Sequence, residues 1–338
     1  MRTAVLIPCF NEAKSIRTVV EDFRTHLPDA EIYVYDNNST DGTDDIARAA
    51  GAIVRYEARQ GKGNVIRTMF REIDADCYII ADGDNTYPAS FAPELMKYVQ
   101  QGRADMVIGD RLSSSYFTEN KRLFHSFGNR LVRSLVNHIF HARINDIMTG
   151  ARAFSRDFVK SFAVSSKGFE IETEMTIFAL ENNFKIVEIP IEYRDRDADN
   201  PSKLSTYSDG YKVLKTIFRL LRDDKPAVFF SVIGILTIVL GIGFFIPILV
   251  EYMQTGKVPK YPTLIVITGL WAIGTISIFS GVILSLINTR AKQEFERYMN
   301  LLYICDERGL TGTKPDDASY DRQGNRQAQD GYWRGWNE

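Results

Sequence analysis

Two aspartates one residue apart, Asp82 and Asp84, follow a short apolar run in the stretch CYIIADGDNTYP at residues 77–88. At a strand end both carboxylates can reach a hard divalent cation, directly or through its water. A partly hydrated Mg2+ or Mn2+ bridges readily to a diphosphate. Without a metal the pair would repel a phosphate, so these residues predict metal-assisted binding of a diphosphate ligand.

The elements that must position them follow from the pattern of apolar residues. TAVLIPCF, EIYVYD, AIVRY, CYIIAD and MVIGDR read as strands. Between them, amphipathic helices are predicted over NEAKSIRTVVEDFRTHL, TDDIARAA, GNVIRTMFREI and PASFAPELMKYVQ. In the first helix Ile16, Val19, Val20, Phe23 and Leu27 share one face, with Asn11 available as its cap. Continuous apolar strands alternating with helices predict a mostly parallel α/β sheet covered on both faces. Ligands of such sheets sit beyond the carboxyl ends of the strands. Those ends carry Pro8, Asn11 and Glu12, then Asp36 to Gly42, Glu57 to Gly63, Asp82 to Asp84, and Asp110 with Arg111. Each loop alone could be turn chemistry; their convergence on one edge predicts a binding cleft.

Other nucleotide sites are excluded by spacing. RQGKGNVIR has Asn64 where a P-loop needs a metal-binding hydroxyl, and the first loop lacks G-x-G-x-x-G. Lys62 is left either to reach a phosphate or to open a helix. The balance of 41 Lys and Arg against 43 Asp and Glu gives a net charge of −2, which excludes a generally basic nucleic-acid binder. Cys9, Cys77 and Cys305 are odd in number and far apart, which predicts neither a disulfide framework nor a zinc site.

Beyond residue 225 the composition changes. AVFFSVIGILTIVLGIGFFIPILV (227–250) and YPTLIVITGLWAIGTISIFSGVILSLINT (261–289) contain no charge. Each exceeds the roughly 20 residues a helix needs to cross about 30 Å of hydrocarbon. Lys203, Lys212, Lys215, Arg219, Arg222 and Lys225 precede the first run, and Arg290, Lys292 and Arg297 follow the second. The connecting loop has Lys257 and Lys260. The bias predicts a two-span membrane protein with its large flanks and both termini cytoplasmic, and the short apolar run at Ala4 to Ile7 predicts no signal peptide. Tyr211, Leu214, Ile217, Phe218 and Leu221 recur at helical spacing beside cations, as in an interfacial helix. The expected organisation is a catalytic domain over 1–206, a juxtamembrane helix over 207–226, and a membrane hairpin over 227–289, spanning at about 227–250 and 262–287. A cytoplasmic helix over 290–306 and a disordered polar tail over 307–338 complete it.

The ordered series LIPCFNEAKSI, YDNNSTDGT, GKGNVIR, ADGDNTYP, VIGDR, DIMTGARAFSR, GFEIETEM and SKLSTYSDGYKVL resembles family 2 glycosyltransferases of GT-A fold. Within them the chain resembles polyprenyl-phosphate glycosyltransferases related to dolichol-phosphate mannose synthase that bear a C-terminal membrane hairpin. The resemblance implies a nucleotide-sugar donor held by Pro8, Asn11, Glu12, Asp36, Lys62, Asp82, Gly83 and Asp84, with Asp82 and Asp84 on Mg2+ or Mn2+. It implies a polyprenyl phosphate acceptor met by Arg111, Arg122, Ser126, Arg194, Arg196 and Lys203, and a catalytic group of Asp84, Arg111 and Asp146. The mannose synthases often carry Gln where this chain has Thr86, which leaves a third protein ligand to the metal unassigned. Glu170, Glu172 and Glu174 are placed either on the acceptor side or on a helix surface.

The implied reaction is one inverting, in-line displacement from UDP-glucose, UDP-N-acetylglucosamine or GDP-mannose onto undecaprenyl or dolichyl phosphate. Relatives with this hairpin can oligomerise, so a homo-oligomer is a further expectation. A glycan hydroxyl acceptor and a catalytically silent membrane scaffold are the alternatives. A sugar nucleotidyltransferase would show a Gly-rich first loop in place of PCFNEAK, and a processive synthase a Gln-x-x-Arg-Trp motif.

Overall fold

The computed structural model describes residues 1–113, 123–168, 170–194, 218, 222–223, 225–258 and 260–307. A seven-stranded sheet is built from β1 (Thr3–Cys9), β2 (Glu31–Asp36), β3 (Ile53–Tyr56), β4 (Cys77–Ile80), β5 (Met106–Asp110), β6 (Arg152–Ser155) and β7 (Ile186–Pro190). Its order is β3-β2-β1-β4-β6-β5-β7. All neighbours are parallel except β6, which runs antiparallel between β4 and β5. The helices are α1 (Ile16–His26), α2 (Thr43–Ala49), α3 (Lys62–Glu72), α4 (Ala92–Gln100), α5 (Leu123–Phe140), α6 (Arg156–Ser161) and α7 (Ile171–Glu181), with a short 3-10 turn before α4.

Alternation along the strands divides the core. Val5, Ile7, Cys77 and Ile79 pack with Ile16, Val20, Phe23 and Leu95 on one face. Ala4, Leu6, Tyr78 and Ile80 pack with Ile66, Met69, Phe158 and Met175 on the other. Successive side chains of a strand point to opposite faces, so a strand covered on both reads as a continuous apolar run.

The sheet is mostly parallel, as expected, and its one antiparallel strand, β6, comes from the DIMTGARAFSR segment, whose short length and leading arginine disguised it. One reading is corrected. Asn11 does not cap the first helix, which begins only at Ile16. Asn11 has φ 54° and commits its side chain to the next loop: its Oδ1 accepts from the Thr40 amide at 2.8 Å. Two helices follow the sheet domain, α8 (Pro226–Thr255) and α9 (Tyr261–Glu307). Both are long and apolar enough to cross a membrane. They meet through small residues: a Cβ on Gly234 would lie 2.5 Å from the Gly274 carbonyl, and one on Gly281 2.9 Å from the Pro226 carbonyl. The Trp271 indole donates to the Ile238 carbonyl at 3.3 Å. Such close approach drives helix pairing where no hydrophobic effect acts between helices. Most of the expected juxtamembrane helix over 207–226, and all of the expected tail over 307–338 except Glu307, lie outside the described residues.

Candidate active site

The chain runs outward from β1 through β2 to β3 and then crosses back to β4 on the other side of β1, so the crevice between the β1 and β4 ends is the switch point of the sheet. Glu12, Asp36, Asp82 and Asp84 gather there. All four raise the pKa of the intervening Cys9 thiol, which burial already pushes well above its usual range. Pro8 lies in β1 opposite Tyr35. The Glu12 amide donates to Thr43 Oγ1 at 2.9 Å and Ser15 Oγ to the Gly83 carbonyl at 2.7 Å, locking the first loop to the second and fourth.

Asp36 closes β2 almost fully buried. Its Oδ2 accepts from the Ser39 amide at 3.0 Å, whereas its buried Oδ1 has no partner among the described residues. An acceptor left unmatched inside a protein costs stability. Beneath it Asn37 clamps the third loop, donating to the Glu57 and Arg59 carbonyls and accepting from the Gly61 amide at 2.7 Å.

Asp84 is oriented from within its own turn. Its Oδ1 accepts from the Thr86 amide at 3.1 Å and the Thr86 hydroxyl at 2.6 Å. Thr86, where a metal ligand could be sought, thus acts on Asp84 itself. Asp82 Oδ1 lies 2.5 Å from Lys62 Nζ, which also reaches Glu172 Oε1 at 2.6 Å. Burial works against the Lys62 charge, but the two carboxylates outweigh it and raise its pKa above the ordinary 10.5. Lys62 does open α3, and its side chain is buried. Among the described residues no three His, Cys, Asp or Glu side chains are grouped to hold a metal. The hard oxygens of Asp82 and Asp84 suit a cation that takes its other ligands from a diphosphate and water.

A second cluster faces this one. Arg111 Nε donates to Asp146 Oδ2 at 2.8 Å, and its guanidinium lies over the Tyr193 ring, 5.8 Å from the centroid. The Tyr87 hydroxyl joins the two clusters, accepting from Arg111 and the Gly150 amide at 3.3 Å each. Gly150 packs directly on Asp82: a Cβ there would meet its carboxylate and push it aside. Glu188 accepts the Asp146 amide at 3.0 Å. Below, fully buried Arg152 donates to the Thr149 carbonyl at 3.1 Å, the Ile147 carbonyl at 2.5 Å and Thr176 Oγ1 at 2.9 Å. Burial lowers its pKa to about 10, so it remains charged at neutral pH.

Of the other expected contacts, Arg194 is exposed and its amide donates to the Thr86 carbonyl at 2.9 Å. Ser126 falls within α5. Arg122, Arg196 and Lys203 lie outside the described residues. Sequence reasoning missed Tyr87, Arg152 and Glu188. Arg152 and Glu188 are charges inside short strands, and a charge in an apolar run was the available signal. Glu174 is committed elsewhere, accepting the Ser165 and Ser166 amides at 2.7 Å each.

An acid-lined switch point in a sheet with one antiparallel central strand is the GT-A architecture. The model of glycosyl transferase family 2 matches residues 4–162. Protein RfbJ of Shigella flexneri is 53% identical over 108 residues, 32% of this chain and 84% of that protein. Dolichyl-phosphate hexose transferase of Haloferax volcanii is 27% identical over 223 residues, 66% of this chain and 95% of that protein. The crystal structure of Mycobacterium tuberculosis glucosyl-3-phosphoglycerate synthase with Mn2+, uridine-diphosphate-glucose and phosphoglyceric acid is similar, with a TM-score of 0.50 and 23% identity. That similarity covers 65% of this chain and 78% of the other. The chain belongs to the family 2 glycosyltransferases.

Proposed function

We propose that this glycosyltransferase moves a sugar from a nucleotide-sugar donor to a polyprenyl phosphate at a membrane surface, inverting the anomeric configuration. The observation that carries the reading is the meeting of two clusters across Tyr87 and Gly150. One is acidic, with Asp82 and Asp84; the other presents Arg111 on Asp146. Two apolar helices follow the domain that bears them. The name of the dolichyl-phosphate hexose transferase supports a lipid phosphate acceptor, and the solved complex supports a uridine diphosphate sugar with Mn2+.

On this reading Pro8, Asn11, Glu12 and Asp36 line the nucleoside, and the unmatched Asp36 Oδ1 accepts a base or ribose donor. Asp82 and Asp84 would hold Mg2+ or Mn2+, which would supply positive charge to the leaving diphosphate. The acceptor phosphate has a second pKa of about 6, so it is largely ionised at neutral pH and needs little help from a base. Arg111 binds and orients it, and Asp146 fixes the guanidinium plane for that contact. An acceptor oxygen then attacks the anomeric carbon as the nucleoside diphosphate departs on the opposite side. The hairpin keeps the lipid chain in the bilayer, with the catalytic domain and both termini cytoplasmic, as the flanking cations favour.

The test is transfer of radiolabelled sugar from UDP-glucose, UDP-N-acetylglucosamine and GDP-mannose to undecaprenyl or dolichyl phosphate by the full chain in membranes. One donor should give an organic-extractable, acid-labile product that Asp84→Asn abolishes. Undiminished transfer by Asp84→Asn, or transfer only to a glycan hydroxyl, would sink the reading.

A further inference from the structure

Lys62, Asp82 and Glu172 form a line of three charges in which one ammonium lies between two carboxylates, 2.5 Å from Asp82 and 2.6 Å from Glu172. The Lys62 and Glu172 side chains are only 8% and 6% exposed, so water screens neither, while Asp82 is 27% exposed toward the crevice. The elements that carry the inner two charges are fixed against each other. A Cβ on Gly63 would collide with the Ser166 carbonyl, the Gly63 amide donates to the Lys167 carbonyl at 3.2 Å, and Glu174 of α7 holds the Ser165 and Ser166 amides. Lys62 therefore does not leave by moving α3 away from α7, and a shift of its ammonium redistributes contact between Asp82 and Glu172.

Before a cation binds, Lys62 neutralises Asp82. A divalent cation on Asp82 competes for the same oxygens and repels the ammonium, an interaction strengthened by the low local dielectric. We propose that Glu172 is a positioning residue for the metal, retaining Lys62 as the cation takes Asp82. The inference rests on the reading of Asp82 and Asp84 as the metal ligands. Glu172 itself touches neither substrate nor metal; it acts through Lys62.

The experiment titrates Mn2+ alone into the full chain in detergent and follows loss of the free-ion electron paramagnetic resonance signal. Glu172→Gln, isosteric and uncharged, should weaken Mn2+ binding about tenfold, equivalent to about 1.4 kcal/mol, because Lys62 then loses the carboxylate that draws it away from Asp82. The double variant Lys62→Met, Glu172→Gln removes both competitor and counter-charge and should bind Mn2+ at least as tightly as the wild type. A merely structural Glu172 would give no such rescue. Equal Mn2+ binding by wild type and Glu172→Gln overturns the inference, as does a double variant weaker than the wild type. The latter arm decides the matter if Glu172→Gln alone fails to fold. No Mn2+ uptake by the wild type overturns the metal reading and this inference with it, whereas failure in the variants alone leaves the metal reading standing.

Discussion

Arg111 grips both carboxylate oxygens of Asp146, at 2.8 and 3.4 Å, with Asp146 almost wholly buried and the Arg111 side chain 13% exposed. A forked guanidinium cannot be copied by an ammonium, which offers a point charge without a plane. Arg111→Lys should lower kcat/KM for the lipid phosphate about tenfold or more while leaving KM for the nucleotide sugar within about twofold. Asp146→Asn should destabilise the domain by about 1.5 kcal/mol or more, since it takes the charged acceptor from a half-buried guanidinium. Steady-state transfer kinetics and denaturant unfolding check the two arms separately.

Asp36 makes the opposite trade. Its Oδ1 is buried with no partner among the described residues, so on the proposed reading it is a liability in the free protein that a bound nucleotide would relieve. Asp36→Asn removes a buried charge and should leave unfolding stability equal or higher, while weakening UDP or GDP binding at least about tenfold. Calorimetric titration beside thermal unfolding reads both. Loss of stability with unchanged nucleotide affinity would contradict the assignment.

How far these residues were legible in the sequence depended on range. Asp82, Asp84, Asp36 and Glu12 could be found because each follows a strand whose apolar run announces it, and parallel strands bring their ends to one edge. Lys62 was visible as the start of a helix, but its partner Glu172 lies on a helix distant in sequence, and only folding brings the two together. Arg152 was missed for a different reason. An arginine in a short strand reads as surface, yet here two main-chain carbonyls and the Thr176 hydroxyl take its donors and make burial tolerable. Asn11 misled because Asn serves both as a helix cap and as a left-handed turn residue; the loop after β2 selected the second.

Thr86 gives a direct test of how the donor carboxylates are held. Its hydroxyl donates to Asp84 Oδ1 at 2.6 Å in a buried turn. Thr86→Val keeps the shape and deletes the donor, at a cost of about 1.5 kcal/mol or more for a hydrogen bond to a charged group. The half-saturating Mn2+ concentration for transfer should rise about tenfold, and Thr86→Ser should restore it. Equal Mn2+ dependence in Val and Ser variants would remove Thr86 from the site.

Glu57 sets an acid limb on stability. Its hydrogen bonds from Arg59, joined by Thr68 and the Arg59 amide, outweigh burial and lower its pKa from 4.5 to about 2. A carboxylate depressed in the folded state stabilises above its unfolded pKa, and that stability is lost as pH falls from about 4.5 toward 2. Because Arg59 is 55% exposed, water screens the pair and about 1 kcal/mol is the expected share. Glu57→Gln should therefore cost about that much at pH 7 and flatten the stability curve over the acid window, as measured by urea unfolding at stepped pH.

The hairpin helices make a prediction in which two glycines of one helix behave oppositely. A Cβ at Gly234 would meet the Gly274 carbonyl at 2.5 Å and Ile278 at 2.6 Å, whereas one at Gly243 meets nothing within 4 Å. Carbonyl oxygen on a packed helix cannot retreat as a side-chain tip can, so Gly234→Ala must part the helices and forfeit their close contacts. Gly243→Ala meets no such obstacle and gains the helix propensity of alanine, about 0.5–1 kcal/mol. Thermal unfolding of the full chain in detergent should fall by several degrees for Gly234→Ala and hold or rise for Gly243→Ala. Equal shifts in both would show that α8 and α9 do not pack through this seam.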